Sequence, residues 1–201
     1  MKKVAILLFF TSSFAYGQDW PELGRYSENN KKYAQSSDNE DRVVFMGNSI
    51  TEGWSTILPE FFKGKSYINR GISGQTTPQM LIRFRPDVID LNPKVVVILA
   101  GINDIAENTG PSTVKMISDN IISMADLAKI NGINVIISSI LPAKGFPWNP
   151  GINPPPKISA VNKIIEQYAK ENGMIYLDYY SSMVDKNNAL IESYGSDSVH
   201  P

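Results

Sequence analysis

VVFMGNSITEGW, residues 43–54, is an apolar run that ends in a polar Gly-Asn-Ser turn. An unbroken run of branched and large apolar residues is typical of a strand covered on both faces, as in a parallel sheet. Gly47 allows a sharp turn, and a helix that starts at Ser49 would direct its N–H groups toward the serine oxygen. Two interpretations follow: Ser49 caps a helix, or Ser49 is a nucleophile presented at the end of a strand.

Apolar runs of this kind alternate with segments of helical period along the rest of the chain. The predicted strands are Arg42–Met46, Ser66–Ile68, Val95–Leu99, Val135–Ser139 and Met174–Asp178. The predicted helices are Pro78–Leu91, which Pro86 should break or kink, Ser112–Asn131 and Lys157–Asn172. This alternation predicts one α/β domain built on an open parallel sheet with right-handed crossovers.

The composition excludes several classes of protein. The chain has 201 residues, enough for one domain with a sizeable core. Its formal net charge of −1 provides no electrostatic footprint for nucleic acid, so no nucleic-acid partner is expected. Without cysteine and with a single histidine, disulfides and thiolate or polyhistidine metal sites are excluded, and no spaced acidic loop suggests a calcium site.

The first 40 residues divide into two parts. Residues 1–17 carry two lysines, an apolar stretch and then small residues, which is the layout of a secretory signal peptide. Cleavage after Gly17 would leave a secreted or periplasmic protein without stable membrane insertion; a retained N-terminal anchor is the second interpretation. Residues 18–40 are polar and lack a period, so we expect an extended lead-in to a domain over residues 41–201.

A proline-rich segment, residues 141–157, follows the fourth predicted strand. Its six prolines argue against regular structure and predict a stiff loop. Ligands of open α/β sheets bind beyond the carboxyl ends of strands, where this loop emerges. Phe146 and Trp148 could therefore form a wall against a substrate; alternatively, the loop is a rigid surface cover.

A nucleophilic serine needs a base, and His200 is the one histidine of the chain. Asp197 lies three residues before it, so a turn can bring the carboxylate to one ring nitrogen while the other nitrogen faces Ser49. The alternative is a histidine near a chain end beside an incidental acid.

Donors for an oxyanion hole follow two other predicted strands. Gly71 and Gly74 come after Ser66–Ile68, and a glycine N–H can approach a ligand closely. Asn103 comes after Val95–Leu99, and its side-chain amide can donate to an oxyanion. Asparagine is also common in ordinary turns, which is the alternative for this residue.

Four short blocks occur in order along the chain: FMGNSIT (45–51), NRGISGQT (69–76), LAGIND (99–104) and DSVHP (197–201). As an ordered set they resemble the GDSL-like lipase/acylhydrolase family, also called SGNH hydrolases. The resemblance implies that Ser49 is the nucleophile, that His200 is the general base and then acid, and that Asp197 orients it. It also implies an oxyanion hole formed by the backbone N–H groups of Ser49 and Gly74 and the side-chain amide of Asn103.

The resemblance further implies a fold and a chemistry. The family fold is a flavodoxin-like three-layer α/β/α sandwich around a central parallel sheet, and the family uses no cofactor. The platelet-activating-factor acetylhydrolase-like and lysophospholipase L1-like branches are the most similar. Those branches include small esterases that remove acetyl groups, also from carbohydrates.

The chain departs from the family pattern at two places. Asn48 stands where the family name implies aspartate, next to the nucleophile, and is a candidate substrate contact. The sequence stops at Pro201, whereas the family usually continues into a closing C-terminal helix. We therefore expect either a truncated chain or a loosely held His200 with weakened activity.

The expected function is that of an exported serine esterase for short acyl esters, with an acetylated carbohydrate or another small molecule as the substrate. Asn48, Phe146 and Trp148 are the candidate substrate-binding residues. One alternative is a non-catalytic carbohydrate-binding protein on the same scaffold, which would stack sugars on Trp54 and Trp148. A second alternative is a lysophospholipase-type lipid esterase, although the sequence offers no apolar lid for it.

Overall fold

A parallel five-stranded sheet forms the centre of the computed structural model, which describes residues 19–34, 41–195 and 197–201. Its strands are β1 (Val43–Gly47), β2 (Tyr67–Gly71), β3 (Val95–Leu99), β4 (Asn134–Ser138) and β5 (Ile175–Leu177). Their order in the sheet is β2-β1-β3-β4-β5. The predicted α/β class and parallel sheet are confirmed. The predicted signal peptide, residues 1–17, lies outside the described residues.

The carboxyl ends of β1, β2 and β3 are level with one another. Gly47 of β1 lies beside Gly71 of β2 and Leu99 of β3. The winding of the sheet reverses between β1 and β3, because β2 lies on one side of β1 and all later strands lie on the other. Such a switch point leaves a crevice beyond the strand ends. The segments that leave these three strands therefore share one crevice.

The helices in the described ranges follow the predicted alternation. They are α1 (Ser27–Ala34), α2 (Ser49–Ile57), α3 (Pro59–Phe62), α4 (Thr77–Asp87), α5 (Ile102–Ile105), α6 (Val114–Ile130), α7 (Pro154–Glu171) and α8 (Tyr180–Met183). Helix α4 ends one residue after Pro86, and a short 3₁₀ turn at Ile89–Leu91 follows.

Helix α7 begins inside the segment that was expected to be irregular. Pro154, Pro155 and Pro156 occupy its first turn. The first turn of a helix needs no intrahelical N–H bond, and the fixed φ of proline suits it. The expectation of a loop over all of residues 141–157 is therefore wrong for its last four residues, because the proline run starts a helix.

Alternate strand residues face opposite layers of helices. Val44 of β1 packs in a solvent-free core with Phe84 of α4 and Ile121 of α6. Phe45, the next residue, points to the other face, where α2 and α3 provide an aromatic cluster. The rings in edge contact with Phe45 are those of Trp54, Phe61, Phe62 and Tyr67. The protein is a three-layer α/β/α sandwich, as the resemblance implies.

Residues 19–34, which we call the N-terminal strap, differ from the predicted extended lead-in. The strap consists of turns followed by α1, and no residue of α1 is buried. A helix without a buried face has no apolar stripe, so its sequence carries no helical period. Tyr33 packs partly buried against the core, and polar contacts hold the rest: Asn30 donates to Asp87 at 2.6 Å and accepts from Arg70 at 2.8 Å.

No helix within the described part of the chain combines the length and the apolar character that crossing a bilayer requires.

Candidate active site

Ser49 lies at the carboxyl end of β1 and is the first residue of α2. Asn48 is the N-cap of that helix, and its Oδ1 accepts a hydrogen bond from the N–H of Ile50 at 3.1 Å. Asn48 is 1% exposed, so the expectation that it contacts substrate is wrong. Its side chain is used by the helix start, which leaves the positive end of α2 directed at Ser49.

Gly71 allows the first turn of α2 to lie against the end of β2. A Cβ atom at Gly71 would come within 2.1 Å of the backbone nitrogen of Glu52 and 2.7 Å of the carbonyl oxygen of Asn48. Contacts this short are incompatible with any side chain. The position of Ser49 therefore depends on a glycine in the neighbouring strand.

Three side chains form a continuous hydrogen-bonded line at the crevice. Ser49 Oγ lies 2.8 Å from His200 Nε2, and His200 Nδ1 lies 2.8 Å from Asp197 Oδ2. An ionised carboxylate can only accept, so Nδ1 carries the hydrogen and Nε2 is left to accept the serine proton. The structure thus brings together the predicted nucleophile, base and orienting acid across 151 residues of sequence.

Asp197 also fixes the backbone around His200. Its Oδ1 accepts the N–H groups of Val199 and His200, each at 2.7 Å. Desolvation raises the pKa of Asp197, but the hydrogen bonds from His200 and Val199 outweigh it, so the net pKa is lowered. Val199 is buried in the main core. The expectation of a loosely held histidine does not describe this structure, because Asp197 binds both the ring and the backbone of His200 and the neighbouring Val199 is buried.

Asn103 and Gly74, the predicted oxyanion donors, follow β3 and β2. Asn103 is buried in the first turn of α5, and its Nδ2 donates to the carbonyl oxygen of Gln75 at 3.0 Å. An amide nitrogen has two hydrogens, so a second one is available for a ligand. Gly74 is exposed with φ of 76°, and its carbonyl oxygen accepts from Asn108 Nδ2 at 3.2 Å. That contact holds the peptide unit between Gly74 and Gln75, directly after the predicted donor N–H.

Asp104, which sequence reasoning missed, connects the two oxyanion segments. It accepts from the backbone N–H of Thr77 at 2.9 Å and from the Thr77 hydroxyl at 2.6 Å. Burial raises the pKa of Asp104 to about 6, against the lowering effect of the Thr77 hydrogen bonds. The acid ties the start of α4 to α5. Its place beside Asn103 in the third block was the signal that could have identified it.

Arg83 supports the strand ends beneath the site from a position of complete burial. Its guanidinium donates to the carbonyl oxygens of Gly47 at 3.0 Å and Arg70 at 2.9 Å, and it pairs with Asp87 at 2.8 Å. Desolvation lowers its pKa, and the hydrogen bond and charge of Asp87 oppose that change. A buried arginine on a helix has no sequence signal, since charged helix residues normally face solvent.

The two aromatic candidates of the proline-rich loop differ in their exposure to solvent. Phe146 is 2% exposed and packs in the core, so the expectation that it walls a substrate is wrong: its ring anchors the loop. Trp148 is 50% exposed and donates from Nε1 to Asn108 Oδ1 at 3.2 Å. Asn108 in turn holds Gly74, which brings Trp148 to the oxyanion side of the crevice.

Two cavities lie against adjacent faces of α2. A polar cavity of about 550 Å³ includes Ser49, Glu52 and Gly53 of α2 and continues to the N-terminal strap. An apolar cavity of about 350 Å³ lies against Ile50 and Trp54 on the neighbouring face of the same helix. Trp54 is also stacked on Phe61 at 4.6 Å. One face of its indole is thus already covered.

The described part of the chain contains no group of three or more histidine, aspartate or glutamate side chains that could hold a metal ion. The candidate chemistry is carried by the serine, the histidine, the carboxylate and the N–H donors.

Comparisons with known proteins identify close structural relatives. A candidate acylhydrolase from Bacteroides fragilis is 52% identical, with a TM-score of 0.88 over 92% of this chain and 89% of its own. A GDSL-like lipase from Bacteroides thetaiotaomicron is also 52% identical, with a TM-score of 0.87 over 90% of this chain and 89% of its own.

The sequence relatives are more distant. An arylesterase from Vibrio mimicus is 30% identical over 118 residues, which are 52% of this chain and 57% of the arylesterase. The chain spans a little more than half the length of the curated relatives it matches. The GDSL-like lipase/acylhydrolase family model matches residues 45–201, from the middle of β1 to Pro201. This chain belongs to the GDSL-like lipase/acylhydrolase family.

Proposed function

We propose that this protein is a serine esterase that hydrolyses small ester substrates through an acyl-enzyme intermediate. The observation that carries the proposal is the line of Ser49, His200 and Asp197 with two successive distances of 2.8 Å. Such an arrangement gives a serine hydroxyl a base and gives that base a fixed tautomer.

In the proposed reaction, Ser49 Oγ attacks the ester carbonyl carbon while its proton moves to His200 Nε2. The negative charge that develops on the carbonyl oxygen is stabilised by the N–H groups of Ser49 and Gly74 and by the Asn103 amide. Collapse of the tetrahedral intermediate breaks the bond to the alcohol, which takes the proton from Nε2. Water then attacks the acyl-serine with the same base, and the acid and free serine are released.

The acyl group is proposed to be short, with acetyl esters of carbohydrates as the leading substrates. Family membership and the signal-peptide layout of residues 1–17 support an exported enzyme that acts on such esters. Export to the periplasm or the medium is part of this proposal.

A second candidate, an esterase for apolar acyl or aryl groups, is favoured by one observation. The apolar cavity of about 350 Å³ begins at Ile50, the residue after the nucleophile. A series of p-nitrophenyl esters from acetate to octanoate separates the two candidates. A steep fall of kcat/KM with acyl length supports the acetyl esterase, and a rise supports the second candidate.

The proposed function is tested with p-nitrophenyl acetate and the variant Ser49→Ala. Loss of the nucleophile should lower kcat by about 10³-fold or more while the thermal unfolding temperature stays close to that of the wild type. A fluorophosphonate should label the wild type at Ser49 and leave the variant unlabelled. Folded wild-type protein without turnover or labelling would instead support the carbohydrate-binding alternative.

A further inference from the structure

The N-terminal strap lies outside the part of the chain that the family model matches, yet it lines the same cavity as the nucleophile. The match covers residues 45–201, whereas the strap is residues 19–34. The polar cavity that includes Ser49 is closed on its far side by Arg25, Tyr26 and Asn29 of the strap. This wall of the cavity is therefore an addition to the family core.

The strap is attached to the catalytic segments rather than to the back of the molecule. Gln75 Nε2 donates to the carbonyl oxygen of Pro21 at 2.8 Å, and Gln79 Nε2 donates to that of Trp20 at 2.7 Å. The Tyr26 hydroxyl donates to the carbonyl oxygen of Gly71. Gln75 is buried, and its own carbonyl accepts from the Asn103 amide. A wall bound in this way keeps a fixed position relative to the oxyanion donors.

The cavity presents groups that suit a polyhydroxylated ligand. Arg25 pairs with Glu52 Oε1 at 2.7 Å, and Glu52 Oε2 accepts from the N–H of Ser73 at 2.8 Å. Together with the Asn29 amide, the Arg25 guanidinium and the Glu52 carboxylate, whose oxygens can each accept a further hydrogen bond, place donors and acceptors along one surface. Sugar hydroxyls act as donors and acceptors at once, so a mixed lining of this kind matches them better than it matches an alkyl chain.

We propose that the N-terminal strap forms a subsite for the sugar half of a carbohydrate ester, beside Ser49 and on the Glu52 side of α2. The inference rests on the proposed function and adds the location of the alcohol half of the substrate. It assigns Arg25 and Asn29 as specificity-determining residues. It also assigns the strap a role that the family core does not contain.

The test compares glucose pentaacetate and acetylated xylo-oligosaccharides with p-nitrophenyl acetate, whose alcohol half cannot use the subsite. Arg25→Ala and Asn29→Ala are measured beside Lys32→Ala, which removes one positive charge from an exposed strap position that does not line the cavity. We expect each cavity variant to lower the ratio of kcat/KM for the sugar esters to that for p-nitrophenyl acetate at least fivefold, mainly through KM. Lys32→Ala should leave the ratio within twofold of the wild type.

Equal losses on all substrates, or an unchanged ratio in both cavity variants, would overturn the subsite. Hydrolysis of p-nitrophenyl acetate without any hydrolysis of the sugar esters would also overturn it, while leaving the serine esterase intact. A wild type that is inert toward every ester would overturn the proposed function itself. The two failures are thus separate results of one set of assays.

Discussion

Ser49 and His200 meet at 2.8 Å, but the segments that carry them are held by different means. Ser49 lies where a buried strand passes into a helix, and the surrounding contacts are backbone packing and buried polar groups. His200 lies outside regular structure and is held by one carboxylate and the neighbouring buried Val199. The nucleophile is therefore positioned by the fold, whereas the base is positioned by a local turn.

The same contrast, between a group held by the buried fold and a group held by a local turn, applies to two aspartates. Asp104, which joins the two oxyanion segments and, like Ser49, is held by the packed fold, is buried, and desolvation raises its pKa to about 6. Asp197, on the base side, is exposed, and its hydrogen bonds to His200 and Val199 leave its pKa lowered. A change on the nucleophile side should therefore affect folding and activity together. A change at the exposed Asp197 should affect activity far more than folding.

The largest expected effect is that of Asp197→Asn on activity. The asparagine Oδ1 can still accept the two backbone N–H groups, but its amide cannot accept from Nδ1, so the histidine loses the tautomer that the reaction needs. We expect kcat/KM for p-nitrophenyl acetate to fall about 10³- to 10⁴-fold. The unfolding temperature should stay close to that of the wild type.

Asp185→Asn is the matched control, because Asp185 also accepts two backbone N–H groups in an exposed turn, from Asn187 at 2.7 Å and Ala189 at 2.9 Å. It should keep wild-type activity. Comparable losses in both variants would mean that Asp197 acts only as a turn residue.

On the nucleophile side, Gly71→Ala should reduce stability and activity together. The new Cβ would lie 2.1 Å from the Glu52 nitrogen, so α2 must move away from β2 and carry Ser49 with it. We expect a loss of about 3 kcal/mol in the free energy of unfolding, measured by urea denaturation, with a parallel loss of turnover.

Gly151→Ala provides the control, since a Cβ there would meet no atom within 4 Å. It should be nearly neutral in both assays. Normal activity in Gly71→Ala would contradict the idea that packing against β2 sets the position of the nucleophile.

The smallest effect concerns the pH dependence of stability through Asp104. Its folded-state pKa of about 6 lies above the ordinary aspartate value of 3.8, so the folded protein binds the proton more tightly than the unfolded chain. The stability that this group contributes is complete below pH 3.8 and is lost as pH rises through about 6. Between about pH 4 and pH 7 the wild type should lose about 2 kcal/mol by this route.

Asp104→Asn keeps an oxygen that can accept from Thr77 but has no proton to release. Urea denaturation of both proteins at pH 4, 5.5 and 7 should therefore give a variant whose stability, relative to the wild type, rises with pH. Parallel pH profiles would mean that the Asp104 carboxyl between the oxyanion segments does not titrate in this way.

Much of the fold was predictable because local sequence carries its signal. Runs such as Val95–Leu99 are continuous and apolar because both faces of the sheet are covered, and this strand has the predicted limits. The longer helices were predictable because one face of each is buried. α1 was not predictable, because it lies on polar contacts and has no buried residue.

The residues of the candidate site likewise divide into those that were predictable from the sequence and those that were not. Ser49, Gly74 and Asn103 follow recognisable strands, so the order of residues is enough to place them at one edge of the sheet. Asn48 and Phe146 were misjudged because neither residue type reveals whether its side chain faces the crevice or the interior. That distinction depends on which neighbouring segment covers the side chain.

The alternation of strands and helices, the order of the four blocks and the residue types available for chemistry can all be read from the amino-acid sequence. These are properties of local pattern and composition, so they do not require the three-dimensional structure. Three features arise only from the folded arrangement: the 2.8 Å approach of Ser49 and His200, the burial of Arg83 beneath the strand ends and the place of the N-terminal strap along the polar cavity. Such contacts join residues far apart in the chain, and their energies depend on burial and direction, which only the packed fold defines.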